Sequence, residues 1–223
     1  MMELREGNNY EVITRYKEIP IRLKLKLNWI EEDLIGFEGD NYSLIKVFST
    51  EEPIYIKLGE DVFLKTMLFS NLRHELILRK DTITETPPFM KREMVRVEPD
   101  PSKPVYANIC IDEVCSYRLQ VANISERGIC VLVHHEDEDI INRLEDIVEK
   151  HGKGRSAVTV EIDLPGGEKV KGEGVIRSIT EKEDDIYVKI GLLFKGDLEE
   201  TRKLSNYVLN RQREILNSLR MIR

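Results

Sequence analysis

Ile21-Arg22-Leu23-Lys24-Leu25-Lys26-Leu27 alternates apolar and basic side chains with a period of two. Successive side chains of an extended chain point to opposite faces, so the pattern predicts a strand with one face buried and the other wet. Working outward, Leu44–Phe48, Ile54–Leu58, Val62–Phe69 and His74–Arg79 read as further strands, with turn-forming pieces such as Glu38-Gly39-Asp40-Asn41 and Gly59-Glu60-Asp61 between them. Short strands in series with no helix among them predict a small barrel or sandwich.

The pattern lapses between Asp81 and Pro104, where Pro87, Pro88, Pro99, Pro101 and Pro104 each remove a backbone donor and disfavour helix in the residue before. The expected organisation is a β-barrel-like domain over 1–86, a connector over 87–104 and a second domain over 105–223. In the second domain Val105–Ile111, Tyr117–Ala122, Gly128–His134, Ala157–Leu164, Glu168–Ile179 and Ile186–Phe194 read as strands, and Pro165-Gly166-Gly167 as a hairpin turn. Ile140, Ile141, Leu144, Ile147 and Val148 recur at helical spacing, with acidic residues at the start and Gly152 as a stop, which predicts one helix over the barrel. Asp197–Arg220 is expected to be a long helix, with Asp197 and Glu200 as a capping pair and an apolar stripe of Leu204, Val208, Ile215, Leu219 and Ile222. The stripe reads first as packing on the barrel and second as a face for a homodimer. The fold class is mainly β: two small barrels, the C-terminal one antiparallel with an inserted helix and a long C-terminal helix.

Hydrophobic residues make up 41% of the 223-residue chain and charged residues 34%, values of a folded, water-exposed protein. The opening Met-Met-Glu-Leu-Arg-Glu-Gly-Asn-Asn has no apolar core segment and no stretch reaches bilayer-spanning length, so the expected location is the cytoplasm, without membrane insertion. The three cysteines, Cys110, Cys115 and Cys130, lack CxxC spacing and are expected to be reduced. A formal net charge of −7 repels polyanions at long range, which argues against nucleic acid as partner and makes any anion site local.

One locally basic stretch stands out within the connector: Lys91-Arg92-Glu93-Met94-Val95-Arg96-Val97. In an extended chain Arg92 and Arg96 project from one side about 13 Å apart, and a bend would let them converge. Guanidinium groups fork onto phosphate oxygens or onto a guanine edge, and stack on base planes, which lysine cannot do. Taken alone, the pair reads as two solvated surface arginines. The second element is Asn123-Ile124-Ser125-Glu126-Arg127-Gly128, at the junction of two predicted strands. Its amide and hydroxyl suit a purine edge, and glycine permits a positive φ near a ligand. By itself it reads as a hairpin turn.

Together, an Arg-x-x-x-Arg segment at the entrance to a β-barrel and a following Asn-x-Ser-x-x-Gly segment resemble the signature pair of PilZ domains. The resemblance extends through Gly174-Val175-Ile176-Arg177 and Tyr187-Val188-Lys189-Ile190-Gly191-Leu192-Leu193-Phe194, similar to late barrel strands of that family. Tyr207-Val208-Leu209-Asn210-Arg211-Gln212-Arg213-Glu214-Ile215 resembles the terminal helix of the flagellar-brake type. It covers roughly Pro88 to the C-terminus. The resemblance implies that Arg92 and Arg96 hold phosphates and guanine faces of cyclic di-GMP while Asn123, Ser125 and Gly128 meet a guanine from the barrel surface. Lys91 occupies the basic position that, in the family, goes with two stacked ligand molecules. The layout with a preceding β domain implies an effector whose connector becomes ordered on binding, changing the arrangement of the domains and signalling to a protein partner such as the flagellar motor or secretion machinery.

No catalytic constellation is legible: there is no Gly-x-Ser-x-Gly elbow, no His-Glu-x-x-His and no phosphate-cradling Gly-x-x-x-x-Gly-Lys-Ser/Thr, so neither an enzyme nor a cofactor is expected. His134 and His135 precede the acidic run Glu136–Asp139, but neighbouring strand residues point to opposite faces, so a metal site is not expected. The alternative reading is a PilZ-type module that docks proteins or oligomerises without ligand.

Overall fold

The computed structural model describes residues 4–38, 47–72, 74–111, 114–152, 154–181 and 185–220. The chain divides into two compact units, Met1–Glu93 together with Glu214–Arg223, and Met94–Arg213. One boundary falls inside the connector segment and the other inside the terminal helix, so 214–223 is grouped with the first unit and not with the second domain expected over 105–223.

The first unit holds a closed antiparallel barrel of six strands: β1 (Asn9–Tyr16), β2 (Ile19–Ile30), β3 (Leu34–Glu38), β4 (Ile54–Lys57), β5 (Phe63–Leu72) and β6 (Glu75–Thr84), in the order β1-β2-β3-β6-β5-β4. Strands β1 and β4 complete the ring through Val12↔Ile56 and Ile13↔Tyr55. The period-two reading of β2 holds on both faces, with Ile19, Ile21, Leu25 and Leu27 buried, Leu23 half-buried, and Arg22, Lys24 and Lys26 facing solvent. Two strands escape that reading because their buried residues are consecutive, Val12-Ile13-Thr14 in β1 and Ile35-Gly36-Phe37 in β3. In β3 the Trp29 indole lies directly over Gly36, and its Nε1 donates to Glu75 Oε1 at 2.8 Å. Of the expected strand at 44–48, residues 44–46 lie outside the described residues, and Val47 and Phe48 are buried but not in a strand.

The second unit is built on β7 (Arg96–Val97), β8 (Tyr106–Ile111), β9 (Val114–Ser125), β10 (Gly128–His134), β11 (Ala157–Asp163), β12 (Lys169–Thr180) and β13 (Tyr187–Lys195). Six of these strands form the series β10-β13-β12-β11-β8-β9, closed into a barrel by pairing of β9 with β10, and β7 adds a short seventh strand to β9. Closure removes the open edges that would otherwise invite pairing with another chain. The β11–β12 hairpin turns through Gly166 and Gly167, at φ +95 and +86, a conformation that L side chains resist. The inserted helix α1 (Glu138–His151) buries Ile140 and Leu144 and stops at Gly152, and the Ser156 hydroxyl donates to the Ile147 carbonyl at 3.0 Å. Helix α2 (Leu198–Arg220) begins at Asp197, whose carboxylate accepts the Glu200 amide at 2.9 Å. The Glu200 carboxylate does not complete a reciprocal box but accepts the Lys171 amide at 2.6 Å, joining the helix start to β12. Leu204, Val208, Ile215 and Leu219 are buried as the stripe predicted, and Ile222 lies outside the described residues.

The cysteine expectation needs correction. Cys110 is disulfide-bonded, and the register across the β8–β9 hairpin sets it opposite Cys115, whereas Cys130 keeps its thiol. Spacing did not reveal this because the tight hairpin brings together residues that have no CxxC relation.

Gly36→Ala should overlap the Trp29 indole and force it off the barrel, at a cost of about 1–3 kcal/mol. Urea unfolding followed through the fluorescence of Trp29, the chain's single tryptophan, should show a lower midpoint and red-shifted native emission.

Candidate functional site

The connector is not a bare linker. A 3-10 turn at Pro88–Met90, closed by the Lys91 amide on the Pro88 carbonyl at 3.2 Å, seats Phe89 and Met90 against the Ile13, Tyr55 and Phe63 cluster of the first barrel. The Tyr55 and Phe89 ring centroids lie 5.7 Å apart, and burial pushes the Tyr55 hydroxyl above the usual tyrosine pKa. This seating carries Arg92 to the turn between β1 and β2. Arg92 Nη1 donates to Glu18 Oε2 at 2.8 Å, and Glu18 Oε1 accepts from Arg15 Nη1 at 3.0 Å. Arg15 in turn forks onto Glu52, with Nη2 2.7 Å from Oε1 and Nε 3.1 Å from Oε2. Lys91 is exposed, its Nζ 3.6 Å from the Glu85 carboxylate.

The other sequence-selected residues lie in the second unit. Strand pairing sets Arg96 opposite Ser125 and Ser125 opposite Gly128, so the three occupy one row across β7, β9 and β10. Adjacent strands are about 4.8 Å apart, so the row spans roughly 10 Å from the Arg96 backbone to that of Gly128. Asn123 precedes Ser125 by two on β9, on the same side of the strand and partly exposed, while Ser125 is buried and its hydroxyl donates to the Gly128 carbonyl at 3.2 Å. Gly128 does not have a positive φ, contrary to the expected reason for glycine there. Its role is room: a Cβ would sit 2.8 Å from the Leu192 carbonyl oxygen of β13. The structure thus joins Arg96, Asn123, Ser125 and Gly128 on one surface, while Lys91 and Arg92 belong to the other unit.

Two further elements were not legible as site residues. Arg211 falls on the α2 stripe between Val208 and Ile215, only 7% exposed, and its Nε donates to the Glu98 carbonyl at 2.9 Å while Nη1 lies 3.4 Å from Asp100 Oδ2. It ties the helix to the chain that leaves β7, two residues beyond Arg96. A basic residue interrupting an apolar stripe was the available signal. Glu18 had none, since its role depends on the register of the β1–β2 hairpin. The Ser102 amide and hydroxyl, with Arg211 and Lys103 adding attraction, hold the Asp100 carboxyl below the usual aspartate pKa. Among the described residues no three His, Cys, Asp or Glu side chains cluster as a metal site requires, and His135 pairs with Glu181 at 3.3 Å.

Two closed antiparallel barrels, the second with an inserted helix and a terminal helix, and an arginine strand added beside an Asn-x-Ser-x-x-Gly hairpin define a PilZ-type fold. Over 221 residues the chain is 33% identical to an uncharacterized protein of Aquifex aeolicus (strain VF5), across 98% of this chain and 93% of that one, and it belongs to the same family. No family model matches the chain. Among solved structures, the K. pneumonia MrkH–c-di-GMP complex shares the fold with a TM-score of 0.52, at 10% identity, over 94% of this chain and 90% of that one. The Escherichia coli YcgR complex with c-di-GMP aligns with a TM-score of 0.47 at 14% identity, over 96% and 88% of the two chains.

Arg211→Ala should lower stability by about 2–3 kcal/mol, since it removes charge-assisted bonds and the packing of the arginine stem. Because Asp100 has a depressed folded-state pKa, its contribution is present above the ordinary aspartate value and is lost as pH falls through the folded value. Denaturant unfolding between pH 7 and 2 should show this acid limb flattened in Asp100→Asn.

Proposed function

We propose that this protein is a receptor for cyclic di-GMP that acts by binding and not by catalysis. The observation that carries the reading is the row Arg96, Ser125, Gly128, which unites two sequence motifs far apart in the chain on one barrel surface. Arg96 supplies a forked cation for phosphate or for guanine O6 and N7, the partly exposed Asn123 amide supplies a donor and an acceptor for a guanine edge, and Ser125, whose proton goes to the Gly128 carbonyl, keeps only acceptor capacity. At Gly128 a Cβ would meet the Leu192 carbonyl oxygen, so packing against β13 restricts this end of the row to glycine. Arg92 and Lys91, which belong to the first unit, are included as ligand residues on the strength of the motif they share with Arg96. The fold shared with the MrkH–c-di-GMP complex supports the ligand class.

Binding would act on both arginines of one connector, and the connector is anchored at each end, by Phe89 and Met90 before Arg92 and by Arg211 after Arg96. A ligand that engages both arginines shifts the equilibrium only by its difference in affinity between arrangements, and that difference is what a protein partner of the motility or secretion type would read. No described helix is long and apolar enough to cross a membrane, in keeping with a cytoplasmic receptor for a cytoplasmic messenger.

Calorimetric titration of the full chain with cyclic di-GMP should show saturable binding. Arg96→Ala should weaken it by about tenfold or more through loss of charge-assisted bonds. No heat with either protein would leave the ligand-independent docking module as the function.

A further inference from the structure

Building on the receptor reading, we propose that Glu18 is an internal competitor for Arg92: its carboxylate occupies the guanidinium that the ligand needs, and binding requires the Glu18–Arg92 pair to open. The argument starts at the β1–β2 hairpin, whose two turn residues are Lys17 and Glu18, at φ +48 and +69. Glycine and asparagine fill such turns without strain, and residues with longer side chains resist them. A glutamate in that strained position directs attention to what its side chain does.

The Glu18 carboxylate, 11% exposed, lies between two arginines, 2.8 Å from Arg92 Nη1 and 3.0 Å from Arg15 Nη1. Arg15 already has a carboxylate of its own in the fork to Glu52, so charge balance within the cluster of two arginines and two glutamates assigns Glu18 to Arg92. A carboxylate and a phosphate oxygen bind guanidinium through the same N–H donors, so the two anions exclude each other at Nη1 and also repel. The fraction of molecules with Arg92 released therefore scales the apparent affinity. Arg15 fixes Glu18 in place, and the seated Phe89 and Met90 keep Arg92 within its reach.

The test is calorimetric titration with cyclic di-GMP of the full-length wild type, Glu18→Gln and Glu11→Gln. Glu11 pairs with Arg22 on the same hairpin at 3.4 Å and serves as a control for the loss of one negative charge. Glu18→Gln should bind about 2- to 5-fold more tightly, the range of a partly exposed ion pair, and Glu11→Gln should match the wild type. Binding by Glu18→Gln with none detectable in the wild type would support the proposal equally. Unchanged or weaker affinity in Glu18→Gln, with its melting temperature preserved, overturns the competitor role and leaves the receptor reading intact. Equal tightening in both variants also overturns it, as an effect of overall charge. Absence of binding in all three proteins removes the receptor reading and this inference with it.

Discussion

Strand β9 is the member on which the second unit depends. Its residues pair with β8 along the first part, and its last two carry partners on both sides, Ser125 with Arg96 and Gly128, and Ile124 with Val97 and Ile129. That double pairing both closes the barrel and attaches the arginine strand. A one-residue slip would send Arg96 to the opposite face and pair Ser125 with a different neighbour, so register is the condition for the site. The register is held by the buried row beside it, where Val97, Ile124 and Ile129 are all in the core. The close approach of Gly128 to the Leu192 carbonyl then locks β10 against β13.

Electrostatics supply the second constraint. An acidic chain with a net charge of −7 attracts an anion only where cations are concentrated and positioned, and here they are held by carboxylates of the same chain: Arg92 by Glu18, Arg15 by Glu52, Arg211 by Asp100. Such pairs do little for stability where they are exposed. Their larger effect is to fix long side chains in one geometry.

Much of the second barrel was legible because β8, β10, β11 and β13 alternate cleanly. In β8, β10 and β13 every second residue is buried, and the predicted spans differ from the observed ones by a residue or so at the ends. The first barrel was read less completely. In β1 and β3, Thr14 and Gly36 fill inward or covered positions, so the run looks neither alternating nor wholly apolar. The cysteine reading failed for a related reason, since a hairpin sets Cys110 opposite Cys115 and sequence spacing carries no record of that register. Of the candidate site, the motif residues were singled out through their resemblance to the PilZ signature pair, since each alone reads as surface or turn, and the reason for Gly128 was misjudged because close approach by a distant strand leaves no local trace.

By itself the sequence determined the local choices: which segments are extended, where glycine and proline break them, that α1 and α2 each present one apolar face, and which arginines stand in a basic island. These follow from periodicity and side-chain chemistry, which act over a few residues. Only the tertiary structure decided that Arg96 lies in line with Ser125 and Gly128, that Arg211 reaches the Glu98 carbonyl, and that Glu18 meets Arg92. Those contacts join residues up to 113 positions apart, and no local preference encodes them. They are set by strand register, barrel closure and helix packing, which are properties of the whole folded chain.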